Sequence, residues 1–293
     1  MYKILMLLVL GTLSLSAASE FKKLQYMGTV KDIVISTQKI RGGTFNFLNG
    51  STAAQFIVYT ERSNQKKAFR SLAYQSMYVP VRLASEFNDL HKQMNSLNDM
   101  AFELEPIMSF SAYCTLIKKI LKTDQQMQKI YFDKSSPMVQ SITKVMTDDL
   151  LPLSEEVGKL RGLGSGIIAK TTCEDEEVAM LDESIDEIKV CLNNTIHHLQ
   201  SLNVKYAQQY PQGFNDKLVE LAVEINRYIK FAETKVMEQK KITENPDLYF
   251  NNGTKLIGRV MELYEANEKI LLNTVPGRMD QFVSVAGSSP TGS

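Results

Sequence analysis

The 293-residue sequence has no tryptophan, 3 cysteines, 3 histidines, 8 prolines and 15 glycines, and its 33 Lys plus Arg are balanced by 33 Asp plus Glu. Each scarcity excludes something. Without a net positive charge there is no broad basic surface to neutralise nucleic-acid phosphates, so no nucleic-acid partner is expected. His197 and His198 are adjacent and point about 100° apart on a helix, so they do not chelate one metal together. No Glu-x-x-His pair is present for a di-iron bundle, and no CxxCH or CxxC for haem attachment or thiol redox chemistry. No spacing unites a nucleophile, a base and an orienting acid, so no catalytic residue, metal or cofactor is assigned and the chain reads as a non-enzyme.

What is present is helix. Hydrophobic residues make up 44% and charged residues 23%, a globular composition, and few glycines and prolines favour long helices over turn-rich sheets. Apolar residues recur at spacings of three and four. One seam runs Leu181, Ile185, Ile188, Leu192, Thr195, Leu199, Leu202 and Tyr206; a second runs Leu218, Leu221, Ile225, Ile229, Ala232 and Val236. Pro80, Pro106, Pro137, Pro211 and Pro246 stand at or just before the start of periodic runs, where a missing N–H does no harm. Eight helices are predicted, at about 20–48, 51–76, 80–103, 106–133, 137–170, 174–209, 214–243 and 246–274, with Pro152 disturbing the fifth. The acidic run Glu174-Asp175-Glu176-Glu177 opens a helix and reads as a cap, and Asn194 reads as a polar register residue across a core. Cys173 and Cys191 are separated by 18 residues of helical pattern, too far for a disulfide at about 1.5 Å per residue.

The organisation that follows is all-α: two up-down-up-down four-helix bundles arranged coaxially, over residues 19–135 and 136–278. Residues 1–18 combine Lys3, an apolar run from Ile4 to Leu15 and the small residues Ser16, Ala17 and Ala18, the pattern of a signal peptide. Export to a periplasm as a soluble protein is therefore expected, with an uncleaved anchor as the alternative. Residues 286–293, AGSSPTGS, have nothing to bury, and the tail 279–293 is expected to be disordered.

One internal similarity bears on function. Lys39-Ile40-Arg41-Gly42-Gly43 and Lys159-Leu160-Arg161-Gly162-Leu163 share Lys, apolar, Arg and Gly, and two apolar residues return five and six places after each glycine. The arginines are 120 positions apart, close to the length of one four-helix unit, and Arg contributes only eight of the 33 basic residues. Glycines inside a helix cost about 1 kcal/mol each against alanine, so Gly162, Gly164 and Gly166 need an offsetting role. Small residues allow close approach of a backbone or a small ligand, and a guanidinium offers a planar fork to a planar oxyanion. An arginine pairing with a carboxylate and a glycine ending a helix would leave the same trace.

These residues resemble the nitrate- and nitrite-sensing (NIT) domain family of bacterial chemoreceptors, sensor kinases and antiterminators. The resemblance lies in Gln38-Lys39-Ile40-Arg41-Gly42, in Leu160-Arg161-Gly162-Leu163-Gly164, and in Pro246-x-x-Tyr249-Phe250-x-x-x-Thr254-x-x-Ile257, in that order. Ile40 stands where the family usually has Glu. The resemblance implies nitrate or nitrite held by Arg41 and Arg161, with Arg227 from a later helix, Thr44, and the backbone near Gly42 and Gly162 completing the shell. It also implies a membrane receptor or sensor kinase as signalling partner, since no output domain precedes Ser293, and a homodimer formed through an exposed seam. A helical protein that has lost the anion and serves as a structural or partner-binding module, and a sensor of a different small anion, stand as alternatives.

Overall fold

The computed structural model describes residues 2–75 and 80–274, with side chains from residue 20 onward. The expected disordered tail lies outside the described residues, and so do the side chains of the signal-like segment. Among the described residues nine α-helices follow in order: α1 (Tyr2–Leu48), α2 (Ala54–Gln75), α3 (Val81–Met100), α4 (Pro106–Phe132), α5 (Pro137–Val145), α6 (Leu151–Lys170), α7 (Asp175–Lys205), α8 (Phe214–Ala232) and α9 (Pro246–Thr274). Among the described residues there is no strand, and the fold class is all-α as expected. No helix of the described residues is long and apolar enough to cross a membrane.

Local chemistry sets the boundaries. Pro106 and Pro137 open α4 and α5 in the first turn, and the Ser136 hydroxyl accepts from the Val139 N–H at 3.4 Å. Asn245 Oδ1 accepts from the Leu248 N–H at 2.9 Å ahead of α9. Glu174 and Glu177 form a reciprocal capping box on α7, so the acidic run is a cap. The fifth predicted helix is interrupted at Pro152, as expected, without a break in the chain's helical course. Pro152 follows a π-helical segment, Met146–Leu150, that joins α5 to α6; the wider turn relieves the clash of the ring with the carbonyl four residues back. A second π segment, Glu233–Met237, extends α8.

The seams drawn from periodicity face inward: Leu181, Ile185, Ile188, Leu192, Thr195, Leu199 and Leu202 on α7 are buried, as are Leu218, Leu221, Ile225, Ile229 and Ala232 on α8. Asn194 is exposed, correcting its assignment to the core. Asn267 is one of the amides that are buried, and it accepts from the Tyr210 hydroxyl at 2.7 Å. The cysteines are free.

α1 to α4 pack on one another, and α6 to α9 do the same. The two sets run along a common direction and meet along their length, with α1 against α6, α4 lying in one groove of that pair and α9 in the other. Every residue of functional interest lies on this shared seam or beside it.

Candidate functional site

The repeat identified in sequence is brought together in space. α1 and α6 run parallel and touch at the repeated glycines: a Cβ on Gly42 would lie 3.4 Å from the Gly162 Cα, and one on Gly162 would lie 3.2 Å from the Gly42 Cα. The other glycines of α6 are accounted for in the same way. A Cβ on Gly164 would sit 2.5 Å from the Tyr249 ring, and one on Gly166 would sit 2.2 Å from the Phe45 ring. Their helix-propensity cost is offset by side chains that pack directly on the backbone. Gly42 and Gly162 both lie inside uninterrupted helix, where the N–H donates to the carbonyl four residues back. Their amides are therefore occupied, and the two glycines act as contact surfaces rather than as ligand donors.

Around this crossing the arginines have matching surroundings. Arg41 stacks its guanidinium 4.9 Å from the Phe110 ring centroid and donates from Nη1 to the Cys114 Sγ at 3.2 Å. Arg161 stacks 4.5 Å from the Phe250 ring and donates from Nη1 to the Thr254 Oγ1 at 3.1 Å. Phe110 also covers Gly162, and Phe250 covers Gly42. α4 and α9 thus repeat one pattern: Pro106, Phe110 and Cys114 recur as Pro246, Phe250 and Thr254, each at intervals of four. Sequence inspection missed this second half of the duplication, which was legible only to a search pairing Cys with Thr. The guanidiniums sit on the two flanks of the α1–α6 seam, Arg41 beside α4 and Arg161 beside α9.

The two halves differ in charge. Both arginines are buried, at 0% and 1% exposure. Arg41 is bound end-on by Glu155 of α6, Nη1 to Oε1 and Nη2 to Oε2, the latter at 3.3 Å. Burial alone would lower the Arg41 pKa, but Cys114 and Glu155 more than offset it and hold the value above the ordinary arginine range. Among the described residues Arg161 has no carboxylate partner, and its Nε and Nη2 carry no hydrogen bond. Burial brings its pKa down to about 10, with the charge of Arg41 adding to the effect. Glu155 stands six residues before Arg161; six residues before Arg41 stands Ile35. The carboxylate that one half supplies from its own chain is missing from the other.

The remaining expected residues are placed as follows. Thr44 is fully buried beside the Tyr113 hydroxyl, on the α4 side. Arg227 is exposed on α8 and does not join Arg41 or Arg161; it lines an open cleft of ≈ 660 Å³ between α8 and α9. It lies one residue before Tyr228, whose hydroxyl lies with the Arg161 Cβ and Cγ at Gly253. The two arginines thus have unlike surroundings, Arg41 paired with Glu155 and Arg161 without a carboxylate among the described residues.

The open edge has a definite chemistry. Nε–H and Nη2–H of one guanidinium lie on the same side and form the fork that binds two oxygens of a planar oxyanion. The buried group Arg41, Glu155 and Arg161 carries two positive charges and one negative. Among the described residues no group of His, Cys, Asp and Glu is arranged to hold a metal; His198 instead bonds Asp149 at 2.8 Å.

No protein-family model and no curated protein matches the chain. A solved structure that does match is that of the NasR transcription antiterminator, with a TM-score of 0.71 at 13% sequence identity, over 98% of this chain and 77% of that one. At that identity the likeness is one of fold: the chain is similar to NasR in the course of its helices over nearly its whole length.

Proposed function

We propose that the protein is a non-enzymatic sensory protein that binds one small planar monovalent oxyanion, nitrate or nitrite, at Arg161. The observation that supports this most is a fully buried guanidinium whose bidentate edge is unpartnered. An isolated buried charge is expensive, and an anion that fits the edge removes the expense. The resemblance of the three motifs to the NIT family names the anion, and the likeness in fold to a transcription antiterminator agrees with the proteins in which that domain occurs. Binding would couple α6 to α9 and shift the balance between packings of the two helical sets, which is the signal. Export to the periplasm, a receptor or sensor kinase as the recipient, and a homodimer are parts of the same proposal.

Calorimetric titration with nitrate, nitrite and chloride tests it. One site per chain is expected, at micromolar to millimolar strength or about 4–8 kcal/mol, retained in Arg227→Gln and absent in Arg161→Gln. No heat with any of the three anions would overturn it. The Arg41–Glu155 pair favours a second reading, a partner-binding helical module in which an internal carboxylate has replaced the ligand; that reading predicts no anion dependence in any variant.

A further inference from the structure

We propose that Arg62, with Thr44, forms a second anion site, within α1 to α4, for a small carboxylate that carries an apolar body. This site stands apart from the reading of Arg161 and does not depend on it. Arg62 is partly exposed on α2, yet its Nε and Nη2 are shielded from solvent and carry no hydrogen bond. Among the described residues it has no carboxylate partner, and the adjacent Glu61 is taken by Lys39 at 2.9 Å. Its guanidinium stacks 4.9 Å from the Phe102 ring, as Arg41 does on Phe110 and Arg161 on Phe250. The edge left unpartnered is the same one that Arg161 leaves open.

The polar neighbours of Arg62 fix the sign of the guest. Tyr113 donates to Asn98 at 2.8 Å, Asn98 to Gln65 at 2.9 Å, Gln65 to Thr37 at 2.7 Å, and Thr37 to the Ile33 carbonyl at 2.6 Å, one side chain from each of the four helices. Every donor in that relay leads away from Tyr113, so the phenol hydrogen is committed and its oxygen can only accept. Arg62 and the fully buried Thr44 both adjoin this hydroxyl, whose pKa burial pushes up to about 12 against their pull. The Thr44 hydroxyl has no partner either. What is left unmatched beside Tyr113 is a guanidinium fork and one hydroxyl, a set that the oxygens of an anion satisfy. Nitrate accepts weakly and suits a dry pocket, whereas beside a partly exposed side chain the more basic carboxylate holds the fork against water. The rim is aromatic. Phe102 meets Phe47 and Tyr59 at 4.8 and 6.4 Å between ring centroids, and Tyr59 and Phe56, on the turns of α2 before Arg62, are 55% and 79% exposed. Rings placed beside the fork cover an apolar body attached to the carboxylate.

Sodium benzoate is the probe, with benzamide as its uncharged counterpart and formate as the carboxylate without a body. Phenylglyoxal modification of Arg62 in the unaltered chain, followed by mass spectrometry, should slow about fivefold or more at saturating benzoate. The exposed Arg70 of the same helix should be unaffected, and benzamide should protect neither. Calorimetry should find one benzoate per chain, kept in Arg161→Gln and lost in Arg62→Gln. Affinity should fall about tenfold in Arg62→Lys, whose ammonium has no fork, and by about fivefold in Thr44→Val. Formate should bind about tenfold more weakly than benzoate. No protection by benzoate, equal slowing at Arg70, formate as tight as benzoate, or binding lost in Arg161→Gln and kept in Arg62→Gln would overturn the site. Absence of nitrate binding in the unaltered protein would sink the reading of Arg161 alone, because no nitrate enters these measurements.

Discussion

Phe110 and Phe250 perform one task twice: each lies over the glycine of the opposite helix and under the arginine of its own flank, Phe110 on Gly162 and Arg41, Phe250 on Gly42 and Arg161. Two arginines are thereby buried at a backbone crossing, and the pair of half-sites differs chiefly in Glu155. The stability of the protein should record that difference.

The first expectation concerns Glu155. Glu155→Ala leaves Arg41 buried and uncompensated, which should destabilise the fold by about 3–5 kcal/mol in urea unfolding. A second vacant arginine should also make stability depend on added nitrate more steeply than in the unaltered protein. A loss under about 1 kcal/mol would mean that the pair is worth no more than a surface bridge.

For Arg161 the expected sign is opposite. Arg161→Met removes a buried charge with no counter-charge and should raise stability without anions by about 1–3 kcal/mol, while abolishing any rise in Tm on adding nitrate. Destabilisation accompanied by an intact nitrate response would exclude Arg161 as the ligand.

The glycines divide by their neighbours. Gly166→Ala places a methyl 2.2 Å from the Phe45 ring and should destabilise by about 1–3 kcal/mol despite better helix propensity. Gly258, on an open face of α9 with nothing within 4 Å of its Cβ position, should gain about 1 kcal/mol on the same change. Thermal melts of the two variants should move in opposite directions.

Asp124 supplies a pH dependence. It is fully buried on α4, neither carboxylate oxygen has a hydrogen bond, and burial together with Asp148 pushes its pKa up to about 8. Between about pH 4 and pH 8 the folded protein therefore holds a proton that the unfolded chain has released. Stability must fall as pH rises through that window, by at most about 6 kcal/mol from this group. Asp124→Asn should flatten the slope, and an unchanged profile in that variant would assign the dependence elsewhere.

Much of this architecture was legible because it is local. The prolines at 106, 137 and 246, the Glu174–Glu177 box and the spacing of Leu181 to Leu202 act within a turn or two of their own positions. The disturbance at Pro152 is visible in sequence because its N–H is missing, whereas the π turn that accommodates it depends on the packing around it. In sequence Arg227 looks like a ligand and Tyr228 like core; that Tyr228 and Arg161 meet at Gly253 is visible only in the fold.

By itself the sequence determined an all-α chain, the positions of its helix starts, and two related arginine–glycine elements worth comparing. The tertiary structure alone decided that the glycines touch, that the arginines fall on opposite flanks of one seam, and that Glu155 neutralises the first and leaves the second open. The reason is physical. Helix propensity and capping are settled by neighbours a few residues away, whereas the free energy of a buried charge depends on which distant carboxylate, ring or backbone the fold brings within about 4 Å of it.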